Sequence, residues 1–103
     1  MTQTTQDNAL PTWLEVSEEG VIVTLKYKAN LSGVVSDRLT MRAPCVRDVR
    51  AATVAGGGDY EKMEMSLFCS LLTLSEAEVA TLKYVDYKRL QAGYFRMVEE
   101  DDV

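Results

Sequence analysis

The stretch "LTMRAPCVRDVRAATVAGGGD", residues 39–59, contains the change from strand to helix that decides the fold. Leu39 and Met41 alternate with polar residues, which is typical of a strand with one buried face. Pro44 ends this strand because it has no backbone N–H for the ladder, and its fixed φ suits the first turn of a helix. We predict that the helix ends at Gly56–Gly58. Its inward-facing positions are predicted to be Val46, Val49 and either Ala52 or Thr53.

Upstream of this stretch, the sequence predicts a β-hairpin. Residues 21–31, "VIVTLKYKANL", alternate between apolar and polar over one long strand, with a late interruption as an alternative. "NLSG" supplies turn residues, and residues 34–42 form the second strand, in which Asp37 is the one misfit on the inner face. The predicted inward-facing positions are Val21, Val23, Leu25, Tyr27, Ala29 and Leu31 in the first strand, and Val35, Leu39 and Met41 in the second.

The segment before the hairpin allows two interpretations. "WLEV", residues 13–16, forms either a third short strand or an anchor in which Trp13 pins the preceding polar arm to the hairpin, and we favour the anchor. The long first strand leaves an open edge, which either this segment or another subunit has to cover. A homo-oligomer is therefore one of the states to be expected.

Three more helical segments are predicted after the glycines. Asp59 is placed to cap the first of them, and Ser75 with Glu78 forms a capping box for a short second one. Asp86 is predicted to cap the last helix. The apolar residues of these segments recur at steps of three and four, which favours an inward-facing stripe on each helix. The predicted inward positions are Tyr60, Met63, Leu67, Phe68, Leu71, Leu72, Val79, Leu82, Tyr87, Leu90, Tyr94, Met97 and Val98.

These elements together predict an α+β domain with an N-terminal β-hairpin, or three short strands, packed on three to four α-helices. Residues 1–12 are expected to be a flexible N-terminal arm, residues 13–98 a single domain, and residues 99–103 an acidic tail. A lone hairpin is marginal in water, so its apolar face has to lie against the helices.

The composition excludes several classes of partner. Sixteen acidic and eleven basic residues give a formal charge of −5, whereas binding to the phosphate backbone of nucleic acid depends on Lys and Arg. The same charge disfavours anionic membrane surfaces, and no apolar run approaches the ~20 residues of a transmembrane helix. The polar N-terminal residues do not resemble a secretory signal. We therefore expect a cytoplasmic protein that binds neither nucleic acid nor membrane.

The sequence predicts no catalytic, metal or cofactor site. Histidine is absent, and Cys45 and Cys69 lack CxxC spacing, so we expect free thiols that are buried or semi-buried. The triplet Gly56–Gly58 lacks the Lys-Ser/Thr pair of a phosphate-binding loop. A Ser or Cys nucleophile would lack its usual histidine base. We interpret Asp48 as a surface charge pair with Arg47 or as a cap for the helix start, and the protein as a non-enzyme.

Two segments carry a resemblance to a known family. "LTMRAPCVRDVRAA" (39–52) and "LLTLSEAEVATLKYVDYKRLQ" (71–91) resemble the tail assembly chaperones of Mu-like, contractile-tailed phages, and the similarity extends over roughly residues 21–95. The sequence departs from the family pattern at two positions. Cys45 replaces the usual Thr, which removes the N-cap side chain of the helix after Pro44. A Gly is missing after Thr73, so we expect the helix that ends there to differ from the usual left-handed stop. The positions on the pattern are Leu39, Met41, Arg42, Pro44, Arg47, Asp48, Val49, Leu72, Thr73, Leu74, Ser75, Asp86, Tyr87, Leu90 and Gln91.

The resemblance implies a phage or prophage assembly factor of the bacterial host cytoplasm. Such a protein binds the tape measure protein, keeps that long helical chain soluble while tail tube subunits polymerise, and is absent from the mature virion. The resemblance also implies the tail tube protein and a frameshifted longer form of the chain itself as further partners. The alternatives are a permanent structural tail or connector protein of the virion, and a small regulatory binding module.

A chaperone for an amphipathic helix needs an apolar surface with adaptable side chains. We predict partner contacts at Met65, Leu90, Tyr94, Phe95 and Met97, while core packing is the alternative for the methionines. Phe95 directly follows Tyr94, so the two rings cannot both point into the same core and one of them is expected to be exposed.

Overall fold

The computed structural model describes residues 10–99. Within these residues, a three-stranded antiparallel sheet is followed by four helices, which confirms the predicted α+β class. The predicted arm falls mostly on residues 1–9, and the acidic tail mostly on residues 100–103, which lie outside the described residues. The elements are β1 (Leu14–Ser17), β2 (Gly20–Leu31), β3 (Val34–Arg42), α1 (Val46–Gly56), α2 (Tyr60–Leu72), α3 (Glu76–Ala80) and α4 (Tyr84–Val98).

Leu14–Ser17, which overlap the predicted segment, form the third strand, so our preference for an anchor alone was wrong. β1 pairs with β2 from Leu14 opposite Val23 to Ser17 opposite Gly20, and the sheet order is β1-β2-β3. Trp13 is half-buried, and the guanidinium carbon of Arg89 lies 4.9 Å from its ring centre. The N-terminal segment therefore covers one part of the open edge of β2.

A bulge in the hairpin overturns two predicted inward positions. The β2–β3 pairing is regular to Thr24, shifts register, and resumes at Ala29 opposite Ser36. Tyr27 lies in the shifted segment and is 48% exposed, while Val35 faces away from the core at 63% exposed. Strict alternation fails here because the extra residues of β2 change which β3 side chains share the inner face.

Asp86 does not cap α4 as predicted, because Lys83 is the N-cap residue of that helix. Asp86 is instead fully buried, and its carboxylate accepts hydrogen bonds from the backbone amides of Lys26 at 2.6 Å and Tyr27 at 3.2 Å. One turn further along, the guanidinium of Arg89 donates to the carbonyl of Thr24 at 2.7 Å. These two side chains of α4 satisfy backbone groups of β2 beyond the end of β1, where an edge strand would otherwise be open.

The core lies between one face of the sheet and the helices. α4 packs on β1 and β2, α2 packs on β3, and α1 lies against α2. The close approach of α4 depends on Gly93, since an added Cβ would lie 3.3 Å from Leu14 and Val21. The buried apolar residues are Leu14, Val21, Val23, Leu25, Leu31, Leu39, Met41, Ala52, Leu67, Phe68, Leu71, Leu72, Val79 and Leu90.

Three predicted core residues lie at helix ends and are exposed. Val46 begins α1, Tyr60 begins α2 and Val98 ends α4, with exposures of 74%, 62% and 47%. Helical periodicity alone does not show which residues of a terminal turn the rest of the fold leaves uncovered. Of the two alternatives in the middle of α1, Ala52 is buried and Thr53 is exposed.

The helix boundaries largely follow the predicted capping residues. The Asp59 side chain accepts a hydrogen bond from the amide of Lys62, and Ser75 and Glu78 form the reciprocal capping box. Thr73 adopts the left-handed conformation, with φ 59° and ψ 48°. The expected departure at this helix end was therefore wrong, because Thr73 makes the left-handed stop without a glycine.

Candidate functional site

Arg42 and Asp48 join β3 to α1. Two guanidinium nitrogens of Arg42 donate to the two carboxylate oxygens of Asp48, both at 2.8 Å, and the amide of Cys45 also donates to Asp48 at 2.8 Å. The hydrogen bond from Arg42, followed by that from Cys45, lowers the pKa of Asp48 well below its ordinary range. Asp48 is therefore a cap and pairs with Arg42, so the predicted pair with Arg47 was wrong.

Most positions on the family pattern have a structural role of this kind. Ser75 caps α3, Asp86 supports the bulge, and Pro44 lies half-buried between β3 and α1. Leu90 is fully buried in the core, so a partner cannot reach it, and we correct our assignment of Leu90 to the partner-binding set. Arg47 is exposed and forms no hydrogen bond or ion pair with the part of the chain that the structure describes.

Tyr87 and Gln91 connect α4 to α2 through one carboxylate. The hydroxyl of Tyr87 and the side-chain amide of Gln91 both donate to Oε1 of Glu64, each at 2.9 Å. Burial, together with the hydrogen bond to Glu64, raises the pKa of Tyr87 far above that of a free phenol. Tyr87 therefore remains a hydrogen-bond donor at neutral pH.

Aromatic contacts continue from this cluster to the surface. The ring of Phe68 is fully buried, and its centre lies 5.5 Å from that of Tyr87 and 5.4 Å from that of Tyr94. Tyr94 in turn contacts Phe95 at 5.8 Å, and Phe95 is 47% exposed. Burial, with smaller contributions from Tyr60 and Glu64, raises the pKa of Tyr94. The prediction that one of the two rings is exposed is confirmed, since Tyr94 is half-buried and Phe95 is exposed.

A shallow depression lies where α2, α3 and α4 meet. Met65 is half-buried on its wall, together with Tyr84, which is 71% exposed. Met97 is half-buried and packs against the core, which is the alternative that we considered for it. The residues that line the depression are Glu61, Met65, Val79, Ala80, Leu82, Tyr84 and Tyr87.

The depression and the exposed aromatic residues occupy one side of α4. Tyr84 and Phe95 are eleven residues, or about three helical turns, apart, so both point in nearly the same direction, about 16 Å from each other along the axis. We define the α2–α4 surface as Tyr60, Glu61, Met65, Tyr84, Tyr87, Gln91, Tyr94, Phe95 and Val98. Sequence reasoning had assigned only Met65, Tyr94 and Phe95 of this surface to partner binding.

Residues 10–99 contain no group of three or more His, Cys, Asp or Glu side chains that could hold a metal ion. Both cysteines are free; Cys69 is half-buried, whereas Cys45 is exposed and not buried as predicted. No helix in this part of the chain is long and apolar enough to cross a bilayer.

Comparison with known proteins places the chain in a family. A sequence model of the phage tail assembly chaperone proteins, E, or 41 or 14, matches residues 23–99. The match spans β3 and all the helices named above, including every residue of the α2–α4 surface. No curated protein and no solved structure matches the chain. The chain therefore belongs to the family of phage tail assembly chaperones.

Proposed function

We propose that this chain binds the tape measure protein through the α2–α4 surface and keeps it soluble during assembly of the tail tube. The supporting observation is an exposed row of aromatic and apolar side chains in a member of a chaperone family. A chaperone family implies a non-enzymatic role, and the proposed action requires only reversible burial of apolar surface.

The physical argument concerns the apolar stripe of an amphipathic helix. Such a stripe aggregates when it is exposed, and two helices that present aromatic and methionine side chains side by side can cover it. Tyr84 and Phe95 are separated by about three helical turns, so a bound helix of similar length could contact both. The rings offer large contact areas with few rotatable bonds, which limits the entropy lost on binding.

The remaining parts of the proposal concern the place of action and further partners. We propose that the chain acts in the bacterial host cytoplasm and is absent from the mature virion. The tail tube protein and a frameshifted longer form of the chain are further proposed partners, and self-association is proposed as a property of the free chain.

Co-expression with the tape measure protein of the same phage, followed by size exclusion with light scattering, tests this function. We expect a soluble complex that forms only when both chains are present. If the tape measure protein stays insoluble and this chain elutes alone, the proposal is wrong. Mass spectrometry of purified tails tests the alternative, because a permanent tail component would be found there in stoichiometric amounts.

A further inference from the structure

Glu64 is a buried carboxylate without a cationic partner. Its residue exposure is 7%, and among residues 10–99 no Lys or Arg forms an ion pair with it. Glutamate is rarely buried to this extent unless it is paired, because removal of the charge from water is costly. The hydrogen bonds from Tyr87 and Gln91 stabilise the carboxylate but bring no positive charge.

The second buried carboxylate, Asp86, shows what Glu64 lacks. Oδ1 of Asp86 accepts from Lys26 and Oδ2 accepts from Tyr27, so both oxygens are satisfied. In Glu64 both donors share Oε1, and Oε2 accepts no hydrogen bond from the described residues. No fully enclosed side-chain oxygen in that part of the chain lacks a partner, so Oε2 still contacts solvent. It is therefore an open acceptor on a mostly buried side chain.

This acceptor lies at the boundary between α2 and α4. Tyr60 precedes Glu64 by one helical turn, and Gln91 and Tyr94 lie on the opposite helix. These neighbours belong to the α2–α4 surface. A helix bound there would exclude water from Oε2, and an attraction between charges becomes stronger as the effective dielectric constant falls.

We propose that Oε2 of Glu64 accepts a hydrogen bond from a lysine or arginine of the bound partner. The inference rests on the proposed function and specifies its chemistry: the partner is an amphipathic helix whose apolar stripe is interrupted by one cation. Tyr94 lies close enough to Glu64 to feel its charge, and the face of its ring can also favour a cation. Glu64 then selects the register of the helix, while the aromatic side chains supply the apolar contact.

Glu64→Gln tests the inference because it removes the negative charge of the side chain and keeps nearly the same shape. The carbonyl oxygen of the new amide can still accept the hydrogen bond from Tyr87. The matched control is Glu18→Gln, which removes one negative charge from an exposed position in the β1–β2 turn, outside the α2–α4 surface. The probe is a fluorescent peptide of the tape measure segment that the purified complex protects from proteolysis, and its anisotropy is measured against each variant. We expect Glu64→Gln to weaken binding about 10- to 100-fold and Glu18→Gln less than about threefold.

The partner side provides a test that leaves this chain unchanged. When methionine replaces the single lysine or arginine of the protected segment, binding to the wild-type chain should weaken by the same factor as the Glu64→Gln substitution causes. The same peptide change should not alter binding to the Glu64→Gln variant. Equal affinities of Glu64→Gln and Glu18→Gln, or a protected segment without a cation, would overturn the inference while the proposed function stands. Absence of any wild-type complex would refute the proposed function instead.

Discussion

Replacement of Asp86 by alanine is predicted to destabilise the whole domain, because one carboxylate supports the bulge of β2. The substitution leaves the amides of Lys26 and Tyr27 without their acceptor and removes a charge that is fully buried. A hydrogen bond to a charged group contributes about 1.5–3 kcal/mol. Lys26 and Tyr27 are exposed, so water recovers part of the loss at their amides.

The expected loss is about 3 kcal/mol for the two hydrogen bonds together. A domain of this size has a total stability of about 5–15 kcal/mol, and each kcal/mol corresponds to roughly 4–8 °C in Tm. Asp86→Ala is therefore expected to lower Tm by about 12–24 °C. The matched control is Asp37→Ala, since the half-buried Asp37 makes no hydrogen bond to any other described residue and should cost less than about 0.5 kcal/mol.

Thermal unfolding followed by circular dichroism measures Tm for both variants, and amide hydrogen exchange locates the effect. The amides of Lys26 and Tyr27 should exchange faster in Asp86→Ala than in the control, relative to amides of the sheet core. A Tm within about 3 °C of wild type, or unchanged protection at these two amides, would refute the assigned role of Asp86.

Three other substitutions test the surface, one helix end and one titrating group. Phe95→Glu should weaken binding of the tape measure protein and leave thermal unfolding intact, whereas Val54→Glu, at a more exposed apolar site on α1, should leave both unchanged. A large loss of cooperative unfolding in Phe95→Glu would make Phe95 a core residue. Thr73→Gly should raise the unfolding free energy by about 1 kcal/mol in urea titrations, because a β-branched residue in the left-handed region is strained. A lower unfolding free energy in this variant would contradict the assigned strain. The pKa of Tyr87 in the folded state is raised above 10.0, so its contribution to stability is complete below pH 10 and is lost as the pH rises further. Tyr87→Phe should therefore show a smaller decline in unfolding free energy above pH 10 than the wild-type protein. An identical decline in the two proteins would disprove the shift.

The regular parts of the fold were predictable because local rules decide them. Pro44 and the glycines after α1 mark its boundaries, and Asp59 and Ser75 mark the starts of the next two helices. Alternation correctly assigned Val21 to the core because β2 is regular there. These signals act over three or four residues, so they do not depend on what packs against them.

The candidate site was predictable only in part. The adjacency of Tyr94 and Phe95 was sufficient to predict that one ring is exposed. Glu64 was missed, although a charge within the apolar stripe of α2 was a usable signal. Tyr60 and Tyr84 each begin a helix, and their exposure depends on what packs around that first turn, which local periodicity does not encode.

By itself, the sequence determined the order of β2, β3 and the helices, the caps of α2 and α3, and the resemblance that the family match confirms. Only the tertiary structure decided the roles of the two buried carboxylates. Asp86 lies sixty residues from Lys26, and Glu64 lies 27 residues from Gln91, so no local pattern connects them. Packing brings these groups together because the helices that bury apolar surface also set the positions of the polar side chains they carry.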